Sequence, residues 1–198
     1  MIHTHQQQRS FLASTIGLIC LMSLMATFAT ATTTTHTITI SGVVSGKQTV
    51  TTMPGGKLKT SFSYRDNGRG PDIVEEITLD AKGQFMAFDA TGKSTYGAPI
   101  EETFTRNADK AKWKSKADAG EMSNVANAIY VPVESSLETA AITLRALLRA
   151  PNNKLDALPS GQLAITKLVD AVVSKGGDKK TVASIHSQAL ALSPTTFG

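Results

Sequence analysis

The sequence predicts an α+β fold that is mainly β: an antiparallel meander, or curled sheet, with one packed amphipathic helix. Three observations carry this. From His36 to Lys116 apolar and polar residues alternate with period two, broken by turn residues about every 8 to 12 positions. One capped apolar segment, Ser135 to Pro151, has helical spacing. The 198 residues suffice for one domain with a sizeable core.

The strands follow in order. Thr37-Ile38-Thr39-Ile40 alternates after a threonine-rich lead-in, "TATTTTHTI", expected to be mobile at its start. Ser45-Gly46-Lys47 reads as a turn, and Gln48-Thr49-Val50-Thr51 resumes the alternation. Pro54-Gly55-Gly56 is the next break. Leu58, Thr60, Phe62 and Tyr64 then share one face while Lys57, Lys59, Ser61 and Ser63 share the other, as in a half-buried antiparallel strand. Ile77 and Leu79 repeat the pattern before an Asp80-Ala81-Lys82-Gly83 turn. On the next strand Met86, Phe88 and Ala90 oppose Phe85 and Ala87. Breaks at Thr91-Gly92-Lys93 and Tyr96-Gly97-Ala98-Pro99 precede two more strands, Ile100 to Thr105 and Ala111 to Lys116.

For the helix, Ser135-Ser136-Leu137-Glu138 offers a capping box, with Ser135 as N-cap and Glu138 at the third helical position. Leu137, Ala140, Ala141, Leu144, Leu147 and Leu148 fall on one face, and Pro151 stops the helix. A helix of about 15 residues is marginal alone, so it should lie against the sheet. Beyond a loop, Gln162 to Val173 fits strand or helix, its β-branched content favouring strand, Gly176-Gly177-Asp178 turns, and Thr181 to Leu192 is open in the same way.

Residues 1–31 read as a secretory signal peptide: a lone Arg9, an apolar run from Phe11 to Phe28, and Ala29-Thr30-Ala31 as cleavage site. The run is near the lower length for a spanning helix, but small residues follow it and no basic stop-transfer cluster does. No stable membrane anchor is therefore expected, and 32–198 form a single exported, periplasmic or secreted, β-rich domain. The only cysteine, Cys20, lies in the apolar run behind Gly17-Leu18-Ile19, an unsuitable lipidation site. Without it the domain has neither a disulfide framework nor a thiolate zinc site. Loss of Arg9 from the 20 basic side chains leaves an excess of 3 over the 16 acidic ones. The densest basic piece, Lys110 to Lys116, reads as a strand with one wet face, not as the wide basic surface that nucleic acid needs.

Candidate chemistry is sparse. The knot Arg65-Asp66-Asn67-Gly68-Arg69-Gly70-Pro71 contains turn formers but leads into an acidic strand, not a helix N-terminus, so a hairpin turn is expected, with Arg65 and Arg69 paired to carboxylates. His3-Thr4-His5 has metal-hydrolase spacing but precedes the apolar run, and His36 and His186 have no accompanying ligand cluster. Ser184-Ile185-His186 is no triad signature. Glu75-Glu76 and Glu101-Glu102 lie on strands, so the members of each pair point to opposite faces. The aromatic set Phe62, Tyr64, Phe85, Phe88, Phe104 and Trp113 reads as sheet core, with an apolar pocket as the alternative. No catalytic, metal-binding or cofactor-binding residue is assigned, and no cofactor is expected.

Three pieces together, "FSYRDNGRGPDIVEEITLDAKGQ" (62–84), "STYGAPIEETF" with "AKWKSKADAGE" (94–104 and 111–121), and "LRALLRAPNNKLDALPSGQ" (144–162), resemble the N-terminal extension of secreted, metal-dependent amidohydrolases similar to imidazolonepropionase. The resemblance runs over about residues 36 to 194 and rests on turn and strand motifs. It implies an extension that precedes a (β/α)8 barrel whose metal activates a water against an amide-type carbonyl. "SPTTFG" stands where such an extension would continue, and a barrel needs roughly 200 further residues, so no catalytic position carries over. The chain is then expected to be inactive alone, through truncation, frameshift or a split gene. Its expected partner is an amidohydrolase catalytic barrel encoded downstream, which it would cover or brace. The alternative is a stand-alone periplasmic binding module whose curled sheet and helix enclose an apolar ligand. A small hydrolase in its own right is a third reading.

Overall fold

The computed structural model describes residues 30–175 and 178–190, with side chains described as far as Ile165. The signal-peptide expectation, with Cys20, His3 and His5, falls outside the described residues apart from Thr30 and Ala31, and so does the SPTTFG end. No helix among the described residues is long and apolar enough to cross a membrane.

Residues 32–123 form an open antiparallel sheet of eight strands: β1 (Thr32–Ile40), β2 (Val43–Met53), β3 (Lys57–Tyr64), β4 (Asp72–Leu79), β5 (Phe85–Lys93), β6 (Pro99–Asn107), β7 (Lys110–Lys114) and β8 (Ala119–Ser123). Each pairs only with its sequence neighbours, which is the predicted meander. The alternation on β3 holds, with Thr60 and Phe62 buried and Lys57, Lys59 and Ser61 exposed. On β7 the lysines at 110, 112 and 114 face solvent while Ala111 and Trp113 are buried.

Four local readings are corrected. The threonine-rich lead-in is strand from Thr32 onward, because it finds a partner in β2. The first hairpin turns at Ser41-Gly42, and Gly46 lies inside β2, against the Tyr64 backbone. Gly92 does not break the chain but sits within β5. Its φ of 139° and its approach to the Asp72 carbonyl, where a methyl group would overlap, account for glycine there. Phe85 and Phe88, expected on opposite faces, are both buried, because the register with β4 shifts between Thr78 and Leu79 and the extra residue turns Phe85 inward.

The segment after β8 returns over one face of this sheet. It contains β9 (Ala128–Tyr130), α1 (Leu137–Arg149), β10 (Lys154–Leu158), β11 (Gln162–Lys175) and β12 (Asp178–Leu190). Strands β12-β11-β10-β9 make a second, four-stranded sheet in which β9 and β10 run parallel. Both ambiguous tail segments are therefore strands, the second over its described residues, 181–190. β8, β9 and β10 were not foreseen.

One core joins the layers. Across the large sheet, Leu58, Ile77, Phe88, Phe104 and Trp113 form a continuous row from β3 to β7. Val125, Ile129, Tyr130, Ile142, Leu147, Leu155 and Leu158 pack onto it, and the Tyr130 ring stacks on Phe104 at 4.3 Å between centroids. The aromatic set is thus core, as expected. Of the face expected for α1, Leu147 is buried, but its companions there are Thr139, Ile142 and Ala146, whereas Leu137 and Leu148 are 54% and 46% exposed.

Candidate functional site

The chemistry-bearing side chains converge on the seam between the large sheet and the segment that returns over it. Glu75 on β4 follows the phase of Ile73 and Ile77, so the alternation that buries those isoleucines also buries this carboxylate. Glu102 and Arg106 likewise follow the phase of Ile100 and Phe104 on β6. Glu75 and Glu102 come from the two different adjacent pairs and share a face, one row of the sheet running Thr60, Glu75, Ala90, Glu102. Their neighbours Glu76 and Glu101 point to solvent, as predicted.

Glu75 is fully buried and accepts four hydrogen bonds. Thr60 Oγ1 and Thr139 Oγ1 each donate at 2.7 Å, the Ser136 backbone N–H at 2.6 Å and Ser136 Oγ at 2.7 Å. Ser136 is the N-cap of α1, and its Oγ accepts from the Thr139 N–H at 3.3 Å. The expected cap, Ser135, is one residue too early, and Glu138 pairs with Arg145 instead of closing a capping box. Gln48 Oε1 accepts from the Glu138 N–H at 3.2 Å. The first turn of α1 thus finds its acceptors on β2 and β4, and a carboxylate lies at the positive end of the helix dipole.

Glu102 does the corresponding work two strands along. Its Oε1 accepts from Tyr130 Oη at 2.6 Å and from the Val133 N–H at 3.0 Å. Burial first, and then the hydrogen bond and charge of Glu102, push the Tyr130 phenol well above its ordinary value. Arg106 is the third anchor. It donates to Ala128 O at 3.1 Å and Gln84 Oε1 at 2.9 Å, and pairs with Asp80 at 3.3 Å. Burial lowers its pKa and Asp80 opposes that shift. Asp80 also accepts from the Lys82 and Gln84 N–H groups, so one carboxylate shapes the β4–β5 turn and holds Arg106.

The knot at 65–71 is a hairpin turn. Asn67 and Gly68 take positive φ of 49° and 77°, and Asp66 bridges Arg69 across the turn. Arg65 pairs with Asp72, as expected, and donates to the Tyr64, Gly70 and Pro71 carbonyls. Among the described residues Arg69 meets no carboxylate: its guanidinium lies 5.9 Å from the centroid of the exposed Tyr96 ring. His36 is exposed on β1, and Ser184 and His186 lie on β12, where side chains are not described. Among the described residues no group of three or more His, Cys, Asp or Glu is placed to hold a metal ion.

Sequence reading missed Glu75, Glu102 and Arg106 as a set. The signal was present as charged residues in the buried phase of two strands. Their partners Ser136, Thr139, Tyr130 and Val133 carried no such signal, because each lies 28 to 64 positions from its carboxylate.

No protein-family model matches this chain, and no curated protein or solved structure does.

Proposed function

We propose that this chain is an exported, non-catalytic domain similar to the N-terminal extension of secreted metal-dependent amidohydrolases, and that it covers or braces a catalytic barrel. The observation that carries the reading is that α1 is apolar on two opposite sides. Thr139, Ile142 and Ala146 face the sheet, while Leu137, Ala141, Leu144 and Leu148, at spacings of four, three and four, form a stripe on the other side. Leu137 and Leu148, 54% and 46% exposed, leave that outer side fit to take a protein surface.

The filling of the sheet's core-side face supports the same reading. A carrier for an apolar ligand needs that face open and aromatic. Here Phe88 and Phe104, 0% and 1% exposed, are covered by the chain's own Tyr130, Ile142 and Leu147, and Glu75 and Glu102 spend their acceptors on holding that cover down.

The test is co-expression of this chain with the barrel-type hydrolase encoded beside it, followed by co-purification and an amide-hydrolysis assay. The reading expects the two to co-purify. A Leu137→Lys/Leu148→Glu chain should lose the association while keeping its own melting temperature. Absence of any barrel coding sequence beside the gene, or a complex indifferent to the double substitution, counts against it.

A further inference from the structure

The outer edge of β1 is unlike any other edge of the large sheet. Sheets present a row of unpaired N–H and C=O groups at each margin, and proteins guard them with charge, proline, bulges or brevity. At the far margin β8 is guarded: it has five residues and carries Glu121, with Gly120 tucked onto the Trp113 ring. β1 has nine residues, Thr-Thr-Thr-Thr-His-Thr-Ile-Thr-Ile, with no Asp, Glu, Lys, Arg or Pro. Its one register irregularity falls late, between Ile38 and Thr39, so Thr32 to Ile38 is a regular strand of high β propensity. Among the described residues no strand pairs with its outer side.

We propose that this edge is a self-association surface, which pairs antiparallel with β1 of a second copy about a two-fold axis at Thr35. The strand's own sequence selects that occupant. In this register Thr33 faces Thr37 of the copy and Thr35 faces its own counterpart on the solvent side. Thr32 faces Ile38, and Thr34 faces His36, on the other. Threonine pairs across antiparallel strands are favourable, and an uncharged strand meets no like charge when it pairs with itself. The pairing is isologous and uses the sheet's single unguarded margin, so it closes at two copies and joins two eight-stranded sheets into one. The proposal is independent of any catalytic partner.

Sedimentation equilibrium of the purified chain over a range of concentrations tests it. The mass should rise from one chain to two and stop there. Thr35 is exposed and, among the described residues, makes no side-chain hydrogen bond, so Thr35→Lys and Thr35→Glu are mild for the monomer, yet each sets like charges together on the axis. Each variant alone should associate at least about tenfold more weakly. Mixing the two should restore dimers, because lysine then faces glutamate. Unchanged circular dichroism and melting of both variants separate this result from misfolding. A chain that stays monomeric overturns the proposal, and leaves the edge to the residues before Thr32 or to another protein's strand. Species larger than two, or a dimer that neither substitution weakens, overturn it as well.

Discussion

Glu75 and Glu102 stand in one row of the same sheet, with only Ala90 between them, and both are buried carboxylates that fasten the returning segment. They differ in what they fasten. Glu75 gathers donors from three places, β3, the N-cap and the first turn of α1, and three of its four bonds come from hydroxyls. Glu102 takes one phenol and one backbone N–H, both from the strap Tyr130–Val133. The first is a hub whose loss frees a helix. The second is a clasp on a strap that also stacks on Phe104. The difference teaches that a buried charge is tolerated in proportion to the donors gathered around it, and that those donors set how far its removal is felt.

That contrast is open to direct trial. Glu75→Ala should cost the most, about 3 to 5 kcal/mol, because it leaves buried hydroxyls and the Ser136 N–H without an acceptor. Urea unfolding measures it, and a cost no larger than that of a Glu102-side change would erase the distinction between hub and clasp. Tyr130→Phe keeps the stacked ring and removes only the bond to Glu102. We expect a loss of about 1.5 to 3 kcal/mol by the same measurement.

The clasp should also show an alkaline signature. The Tyr130 phenol ionises at higher pH in the fold than in the unfolded chain, where it titrates near 10. Its contribution is therefore complete below about pH 10. Above it the unfolded state sheds a proton that the folded state retains, and stability falls by up to about 1.4 kcal/mol per pH unit. Unfolding curves for wild type and Tyr130→Phe between neutral and strongly alkaline pH check this, the variant showing a shallower fall. The smallest effect, about 1 kcal/mol, is expected for Thr60→Val, which deletes one of the hub's four donors at constant shape. A loss as large as that of Glu75→Ala would mean that the hub has no reserve.

Much of the large sheet was legible because its pairing is local. Leu58, Thr60 and Phe62 announce their face, Asn67-Gly68 announces its turn, and each strand's partner is next in sequence. The errors have physical causes. Gly46 and Gly92 carry the same letter as turn glycines but answer to close backbone contact inside strands. The lead-in Thr32–Thr35 lacks apolar alternation, and β2 makes it a strand. β9 and β10, three and five residues long, are too short to show a period, and their pairing is parallel and distant. The helix was rotated in the reading because its leucines lie mainly on one side, whereas its rotation is fixed by Thr139 and Ser136 reaching a glutamate more than 60 positions away. For the site, Glu75, Glu102 and Arg106 were visible as misplaced charges, but their donors were not.

The nearest-neighbour order of the meander also has a kinetic meaning. Hairpins between adjacent strands close short loops, whereas the Ser136–Glu75 contacts close a loop of 61 residues and cost more chain entropy before they repay it. We predict a folding transition state in which β3 to β6 are already paired and α1 is still undocked. In stopped-flow experiments Glu75→Ala should then speed unfolding and leave the folding rate nearly unchanged, and a slowed folding limb would place the helix in the nucleus instead.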